Sequence, residues 1–273
     1  MNKTLHGAEG FETYYAKLYG ARWQQLKAAL LHKPRYVAWK SGGAEQYFLD
    51  SASLYAALML PLSDAKRILD LCAAPGGKTL VLAALMNDDA VLTANELSPN
   101  RYCRLVRVLN SCLPESVRAR VRTTKSNGAK MCLKCIEQYE RIFLDAPCSS
   151  ERHVLADKKY LSQWSPARIK TAAMEQWALL SSAYRMLASG GYILYSTCAL
   201  CPSENDAVVE KLLTKFYPDV YVDESFTKVA ASKAKQFCGI SFEAIEKTAC
   251  GFHILPDVHN GAGPIYFSLL KKV

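Results

Sequence analysis

The stretch RILDLCAAPGGKT, residues 67–79, has the pattern of a buried strand that runs through a tight loop into a helix. Gly76 and Gly77 allow the backbone to turn closely before the helix begins. Six further strand-like runs follow it, at 90–96, 118–124, 141–146, 192–197, 252–256 and 264–270. Helical segments fit between most of them, at 78–87, 98–112, 165–189 and 202–216. This alternation predicts an α/β fold, doubly wound, with helices on both faces of a mostly parallel sheet.

The first part of the chain has a different pattern of apolar residues. Residues 9–32 carry apolar side chains at steps of three and four, which predicts one amphipathic helix. Two extended pieces, KPRYVAW and EQYFLD, and a helix in SASLYAALML follow it. The sequence pattern changes near Pro61–Lys66, so we predict an N-terminal helical extension, or appendage, over 1–62 and a second domain over 63–273.

Composition narrows the class of protein. Half of the 273 residues are hydrophobic and 22% are charged, a balance typical of a soluble globular protein. The longest apolar run, LYAALMLPL at 54–62, is too short to span a bilayer, and MNKTLHGAEGFETYY lacks the pattern of a secretory signal. Ten cysteines then indicate free thiols in a reducing compartment. We expect a cytoplasmic monomer without membrane partners, with a mitochondrial location also consistent, and the net charge of +9 favours nucleic acid as a partner.

The chemically reactive residues follow directly on the predicted strands. CAAPGGKT, Glu96, SNGAK, DAPCSSERH and STCALC each lie where the chain leaves one of the first five strands of the sheet. Parallel strands end at the same edge of a sheet, and ligands bind there. The sequence therefore predicts a single site at this edge.

The loop CAAPGGKT allows two interpretations. Gly77, Lys78 and Thr79 fit the second half of a phosphate-binding loop, and RIFLDA resembles the strand that carries a magnesium-binding aspartate. That hypothesis, a P-loop NTPase, needs a glycine at position 72, where the chain has Cys72. Glu96 lies about 20 residues past the glycines, where an acidic residue binds ribose hydroxyls. Since the G-x-G-x-x-G pattern of pyrophosphate binders is absent, S-adenosylmethionine is the favoured cofactor.

Four of the cysteines form two C-x-x-C pairs, Cys132 with Cys135 and Cys198 with Cys201. Roughly 60 residues separate the pairs, which is unlike a zinc ribbon or finger, and we predict no metal. Cys148 and Cys198 are different in kind, because each follows directly on a predicted strand end. A lone free cysteine is usually a small buried apolar residue. Two at the same edge, with Asp145 adjacent to one, predict two thiols in one pocket.

A thiol beside a methyl donor has a specific use. Carbon 5 of cytosine is too weak a nucleophile to accept a methyl group, whereas addition of a thiolate to carbon 6 turns carbon 5 into an enamine-like centre. A base then removes the carbon-5 proton, and elimination of the thiol frees the product. The target base has to leave its stack to reach such a site, which predicts an unpaired or flipped cytidine.

Four motifs carry a family resemblance. ILDLCAAPGGKT, NELSPNR, FLDAPCSSERH and YSTCALCPSEND occur in this order within residues 45–273. Together they resemble the Nop/Sun family of S-adenosylmethionine-dependent RNA 5-methylcytosine methyltransferases, in its compact single-domain form. The resemblance implies a seven-stranded Rossmann-like methyltransferase sheet and methylation of a cytidine in RNA, with rRNA favoured and tRNA as the alternative. A non-catalytic RNA-binding assembly factor is a further alternative.

The resemblance also implies roles for individual residues. Cys198 would be the nucleophile, Cys148 would help release the product, and Asp145 and Lys78 would lie beside the reacting atoms. The implied cofactor-binding residues are Cys72, Ala73, Ala74, Pro75, Gly76, Gly77, Lys78, Glu96, Arg101, Asn127, Gly128 and Asp145. One departure is Asn127, where the family usually has aspartate, and we expect weaker cofactor binding from it.

Basic residues suggest where RNA binds. Arg118, Arg120 and Arg122 alternate along a predicted strand, ahead of Lys125, Lys130 and Lys134, and form either a solvated edge or a phosphate-binding stripe. Arg152 and His153 are better candidates, because their loop follows Cys148. We expect the basic first 50 residues, or a protein partner, to supply further recognition.

Overall fold

The computed structural model describes residues 5–273 and contains a nine-stranded central sheet with a separate two-stranded hairpin. The strands are β1 Tyr36–Trp39, β2 Tyr47–Asp50, β3 Arg67–Asp70, β4 Val91–Asn95, β5 Val121–Thr124, β6 Tyr139–Asp145, β7 Leu187–Thr197, β8 Val220–Val222, β9 Glu246–Lys247, β10 Phe252–Ile254 and β11 Ile265–Lys272. The sheet has the order β5-β4-β3-β6-β7-β11-β10-β9, with β8 also paired to β11, while β1 and β2 form the hairpin.

Helices lie between most of the strands. They are α1 Gly7–Tyr19, α2 Trp23–Leu31, α3 Ser51–Leu58, α4 Gly77–Leu85, α5 Pro99–Cys112, α6 Glu115–Arg118, α7 Gly128–Met131, α8 Glu151–Ala156, α9 Lys158–Ser162, α10 Pro166–Met186, α11 Asp206–Lys215 and α12 Glu224–Cys238. Short 3-10 turns occupy Gly20–Arg22 and Phe242–Ala244. Within residues 5–273, no helix has the length and apolar character needed to cross a membrane.

The predicted fold class is confirmed. Strands β3 to β7 pair in parallel with one another. Strand β11 runs antiparallel to β7 and β10. One apolar cluster joins the sheet to α3, α4, α5 and α12, and a second joins its other face to α10 and α11. The seven predicted strands correspond to β3–β7, β10 and β11. The sheet also contains β8 and β9, which the sequence did not indicate. They are only three and two residues long, too short to leave a recognisable pattern.

The predicted single helix over 9–32 is two helices. Gly20 has a φ of 57°, and the chain makes a 3-10 turn over Gly20–Arg22 before α2 begins. The buried faces of α1 and α2 form a third apolar cluster, in which Phe11, Tyr15 and Trp23 pack with Trp164 and Leu200. The N-terminal helices therefore cover loops next to the ends of β6 and β7.

The prediction that Arg118, Arg120 and Arg122 share one face of a strand is wrong. Arg118 ends α6, and β5 begins only at Val121. The Arg118 guanidinium donates to the carbonyl of Val121, and that of Arg120 donates to the carbonyl of Asn87. Two of the three side chains therefore hold turns of this chain together.

Candidate active site

Cys148 and Cys198 come together at the carboxyl ends of two neighbouring strands. Strands β6 and β7 are parallel, and Asp145 is paired with Ser196 at their carboxyl ends. Each strand is followed by a loop. The Sγ atoms of Cys148 and Cys198, one in each loop, lie 2.7 Å apart, within hydrogen-bond distance. The two predicted thiols thus form one pair.

The two thiols differ in environment. The hydrogen bond with Cys198 and burial together raise the pKa of Cys148 well above its usual range. Cys148 therefore keeps its proton and can donate it to the sulfur of Cys198. Cys198 lines a cavity together with His32, Lys33 and His153, whereas Cys148 lines none of the three cavities described below. A ligand in this cavity would therefore meet the sulfur of Cys198.

A half-buried ion pair lies beside these strand ends. Lys78, in the first turn of α4, donates from Nζ to Oδ2 of Asp145 at 2.8 Å, while Ser196 donates to Oδ1 at 3.1 Å. Burial alone would lower the pKa of Lys78, but the charge of Asp145 and its hydrogen bond reverse this and raise it. The Lys78 side chain is therefore a fixed ammonium, and Asp145 is oriented through both of its oxygens.

The loop before α4 is shaped by close packing as well as by conformation. Gly76 has a φ of 115°, and a Cβ added at Gly77 would come within 2.6 Å of the Tyr47 ring. The carbonyl of Ala74 accepts a hydrogen bond from Arg101 at 2.6 Å. Both glycines are therefore required for the path of the loop.

Asp70, at the end of β3, is a site residue that the sequence analysis missed. Thr79 donates to its Oδ2 at 2.7 Å, while Oδ1 is buried without a hydrogen-bond partner within residues 5–273. Burial raises the pKa of Asp70 to about 7. Its place directly before the loop was visible in the sequence, but its burial was not.

Three adjoining cavities follow the edge of the sheet, and we name each after one lining residue. The Glu96 cavity, about 340 Å³, is lined by Cys72, Glu96, Arg101, Asn127 and Gly128, among others. The Lys78 cavity, about 380 Å³, lies between the hairpin and the loop and includes Asp70, Cys72–Pro75, Gly77, Lys78 and Asp145. The Cys198 cavity has a volume of about 500 Å³. Cys72 lines the first two, and Tyr36, Asp50 and Ser53 line the last two, so the three form a continuous series.

The residues of the Glu96 cavity fit a nucleoside. Oε1 of Glu96 accepts from the backbone of Ser98 at 2.9 Å and so caps α5. Oε2 is buried without a hydrogen-bond partner in the described chain and lies 3.6 Å from Arg101. A buried carboxylate oxygen of this kind favours a hydroxyl donor from a ligand. Asn127 caps α7 by accepting from Ala129 at 3.0 Å, which leaves its amide group beside the same cavity.

Two buried glutamates hold the cysteine loops together. Ser149 contacts both Glu151 and Glu204 through its hydroxyl, and its backbone donates to Glu204 at 2.9 Å. Glu151 in turn accepts from the backbone of Leu200 and from Tyr15, at 3.0 and 2.6 Å. The loop after Cys148 is thereby tied to the loop after Cys198 and to α1. No signal in the sequence distinguishes these glutamates from solvent-exposed ones.

The remaining cysteines lie apart from the pair. Cys201 is buried, with its Sγ atom 3.1 Å from the hydroxyl of Tyr14. Cys132 and Cys135 pack against the cluster on the α10 side of the sheet. In the part of the chain that the structure describes, no three His, Cys, Asp or Glu side chains are grouped so that they could hold a metal ion.

Arg152 and His153 lie where the sequence predicts, but their side chains make different contacts. Both line the Cys198 cavity. The Arg152 guanidinium donates to four backbone carbonyls, of Leu30, His32, Gly261 and Gly263. Arg152 therefore fastens the N-terminal segment to the loop before β11, whereas His153 faces the cavity.

Comparison with known proteins identifies the family. The family model described as 16S rRNA methyltransferase RsmB/F matches residues 57–271. The chain belongs to this family. The predicted resemblance to Nop/Sun RNA 5-methylcytosine methyltransferases is confirmed, since relatives of this RsmB/F chain include a 5-cytosine rRNA methyltransferase NSUN4 from Bos taurus, 36% identical over 85% of this chain and 61% of the relative.

Other relatives have related names. A tRNA (cytosine(34)-C(5))-methyltransferase, mitochondrial, from Danio rerio is 32% identical over 85% of this chain and 62% of its own length. A ribosomal RNA small subunit methyltransferase F from Serratia proteamaculans is 33% identical over 86% of this chain and 49% of its own length. The RsmB/F chain thus spans about half to three-fifths of the length of these relatives.

Solved structures share the fold. A methyltransferase homolog from Pyrococcus horikoshii superposes with a TM-score of 0.70 at 20% identity, covering 98% of this chain and 96% of that one. NSun6 from Pyrococcus horikoshii, solved with SFG, gives a TM-score of 0.62 at 23% identity over 83% of this chain and 53% of that one. At these identities the likeness establishes the architecture alone.

Proposed function

We propose that this chain transfers a methyl group from S-adenosylmethionine to carbon 5 of a cytidine in RNA. The observation that carries the proposal is the cysteine pair at the strand ends, with sulfurs 2.7 Å apart and with Cys198 lining a cavity. Family membership supports methyl transfer over the P-loop NTPase hypothesis. The adjoining cavities supply separate places for a nucleoside and for a base.

The cofactor would occupy the Glu96 and Lys78 cavities. The free oxygen of Glu96 would accept hydrogen bonds from ribose hydroxyls, Asn127 and Gly128 would border the adenine, and the loop 72–77 would follow the methionine part. S-adenosylmethionine supplies an electrophilic methyl group when bound. Lys78 and Asp145 would orient the ligand groups at the boundary with the Cys198 cavity.

In the proposed reaction, the thiolate of Cys198 adds to carbon 6 of the cytosine and forms a carbon–sulfur bond. The electron pair of the 5,6 double bond would make carbon 5 nucleophilic. Carbon 5 would then bond to the methyl group while the bond from that group to the donor sulfur breaks, and its electron pair would stay on the sulfur that leaves. A base, water included, then removes the carbon-5 proton. The electrons of that bond restore the double bond while the sulfur of Cys198 leaves carbon 6.

Cys148 would assist this last step. Its raised pKa keeps it protonated, and its sulfur lies next to that of Cys198. A thiol hydrogen bond to the departing thiolate stabilises the negative charge that forms on the leaving group. Cys148 would thus accelerate release without taking part in the attack.

The proposed substrate is rRNA, because the family description and two of the relatives above name rRNA. Transfer RNA is the alternative, in keeping with the name of the Danio rerio relative. That relative is also named as mitochondrial, so a mitochondrial location is the alternative to the cytoplasmic one that we propose. We further propose that the chain acts as a monomer, with a protein partner contributing to RNA recognition.

A methyl-transfer assay tests the proposal. The protein, labelled S-adenosylmethionine and unmodified rRNA or tRNA transcripts should yield labelled RNA, and bisulfite sequencing should place the product at a cytidine. Binding of S-adenosylmethionine without transfer to either RNA class would favour the assembly-factor hypothesis. Tight binding of ATP with magnesium, and none of S-adenosylmethionine, would overturn the proposal.

A further inference from the structure

We infer that the hairpin β1–β2 is the surface on which a single-stranded RNA segment stacks its bases as the target cytidine enters the site. The inference rests on the proposed function and specifies how that site takes its substrate. Two aromatic side chains, Tyr36 and Phe48, would contact the bases, and Lys33, Arg104 and Arg107 would contact phosphates.

The two faces of the hairpin have different environments. Ala38 is paired with Phe48 and Tyr36 with Asp50, so these four side chains share one face. On the opposite face, Trp39 and Leu49 are buried in the main apolar cluster. Tyr36 is 52% exposed and Phe48 is 58% exposed, although large aromatic rings are usually buried. The hairpin thus presents two rings to solvent from a rigid base.

The exposed face lies where the reaction would occur. Tyr36, Asp50 and Ser53 line both the Lys78 cavity and the Cys198 cavity. A cytosine that bonds to Cys198 and receives a methyl group from the Lys78 side has to lie where these two cavities adjoin. It therefore meets Tyr36. Phe48 lines the Lys78 cavity alone and would contact a neighbouring base.

The hairpin is fixed before any ligand binds. Oδ1 of Asp50 accepts from the backbone of Ala52 at 2.8 Å and of Gly263 at 3.0 Å, and the backbone of Ser51 donates to the carbonyl of Arg35 at 2.8 Å. These bonds tie the end of β2 to α3, to β1 and to the loop before β11. The platform therefore loses little conformational entropy when RNA binds.

Unpaired cations flank the platform. Lys33 lines the Cys198 cavity and Arg104 lines the Lys78 cavity. Arg107 lies three residues further along α5, on the same exposed side of the helix. None of the three forms an ion pair with any residue between 5 and 273. Aromatic rings for bases beside free cations for phosphates are the combination with which proteins bind single-stranded nucleic acid.

This surface replaces the basic stripe that the sequence suggested. The guanidiniums of Arg118, Arg120 and Arg152 donate to backbone carbonyls of this chain. They are less available to phosphates than Lys33 and Arg104. Within the first 50 residues, the proposed RNA contacts are therefore limited to the hairpin and to Lys33 just before it.

The test uses a short single-stranded RNA with one cytidine and 2-aminopurine on either side. Wild-type protein should quench the 2-aminopurine fluorescence by stacking. Tyr36→Ala and Phe48→Ala should each weaken binding roughly 5- to 150-fold and lose part of the quench, since stacking contributes that much per base. Tyr36→Phe keeps a ring and should bind as wild type does. Tyr217→Ala, at a ring that is 82% exposed and lines none of the three cavities, is the matched control.

The charged residues have a separate readout. Lys33→Ala and Arg104→Ala should each reduce the slope of log affinity against log salt by about 0.7, the value for one phosphate contact on a single strand. The same substitution at Arg118 should leave the slope unchanged. An unchanged slope in both Lys33→Ala and Arg104→Ala would overturn this part of the inference.

Two outcomes separate the inference from the proposed function. If wild type methylates RNA but Tyr36→Ala and Phe48→Ala bind and quench like Tyr217→Ala, the platform is overturned and the proposed function stands. If wild type stacks the RNA as described but transfers no methyl group, the platform is supported and the proposed activity fails. Circular dichroism and thermal unfolding should be the same for Tyr36→Ala, Phe48→Ala and wild type, which shows that the variants are folded.

Discussion

Cys148 and Cys198 are 50 residues apart in sequence, yet their sulfurs lie 2.7 Å from each other. Parallel pairing of β6 and β7 brings the strand ends to the same level, and Ser149, bound to both Glu151 and Glu204, ties the two following loops together. The contact therefore depends on buried carboxylates behind the thiols as well as on the sheet. It places a protonated sulfur next to one that a ligand can reach.

The first prediction separates the two thiols. Cys198→Ala should abolish methyl transfer and leave no covalent RNA adduct, because no sulfur remains to attack carbon 6. Cys148→Ala should still attack and transfer methyl, then stall, because the departing thiolate loses its hydrogen-bond donor. That variant should accumulate an RNA–protein adduct that survives denaturing electrophoresis.

The outcomes of that experiment are distinct. Adduct formation by Cys198→Ala and none by Cys148→Ala would make Cys148 the nucleophile. Normal turnover by both variants would return both cysteines to a packing role. Cys103→Ala is the matched control, since Cys103 is exposed and lies on α5.

The second prediction concerns Glu96. Glu96→Ala should weaken S-adenosylmethionine binding by about 1.5–3 kcal/mol, roughly 10- to 150-fold, because charge-assisted hydrogen bonds to the ribose are lost. Glu96→Gln keeps an acceptor for Ser98 and should lose less. Calorimetry with the cofactor and with its demethylated product measures both, and Glu115→Ala on α6 is the control. Equal affinity in Glu96→Ala and wild type would exclude the ribose contact.

The third prediction concerns Asn127, which caps α7 through its side-chain oxygen. Asn127→Asp should tighten S-adenosylmethionine binding by about 1 kcal/mol, or roughly fivefold, because a carboxylate can accept from Ala129 and from the adenine amino group together. The same calorimetry applies. Weaker binding in the variant would mean that the Asn127 amide donates to the ligand.

The fourth prediction is that the protein holds no structural metal. Cys201 contacts Tyr14, while Cys132 and Cys135 pack beside α10, so the two C-x-x-C pairs lie in different clusters. Elemental analysis of the purified protein should find no stoichiometric zinc. The variant Cys201→Ser should retain most of the methyl-transfer activity. One zinc per chain, lost together with the fold on chelation, would contradict this.

The sequence predicted the sheet and the edge that carries the site, because both follow from local pattern. Strand exits at the same edge bring Cys148 into contact with Cys198, and they place Cys198 and Glu96 along one series of cavities. The arginines before β5 were predicted wrongly, because a short helix, α6, takes the place of the first turn of the expected strand. A four-residue helix leaves no periodic signal that could be distinguished from a strand of alternating charge.

Burial of charge was the other feature that the sequence could not give. Glu151 and Glu204 are completely buried although each lies in a polar stretch, and Asp70 is nearly so at the end of an apolar strand. Their burial depends on partners far along the chain, such as Tyr15 for Glu151 and Gln176 for Glu204. Local composition carries no information about contacts of this range.

The last prediction tests the glutamate pair through pH. Burial and the neighbouring charge of Glu151 raise the pKa of Glu204 from 4.5 to about 7. Between those values the folded state holds a proton that the unfolded state has released, so the contribution of wild-type Glu204 to stability falls as pH rises and is constant above the upper value. Glu204→Gln cannot titrate. Its free energy of unfolding relative to wild type should therefore rise with pH by up to about 1.4 kcal/mol per unit across this window. Urea denaturation from pH 5 to pH 8 measures the difference, with Glu115→Gln as the surface control. A difference that is flat or falls over this range would mean that Glu204 is ionised in the folded protein.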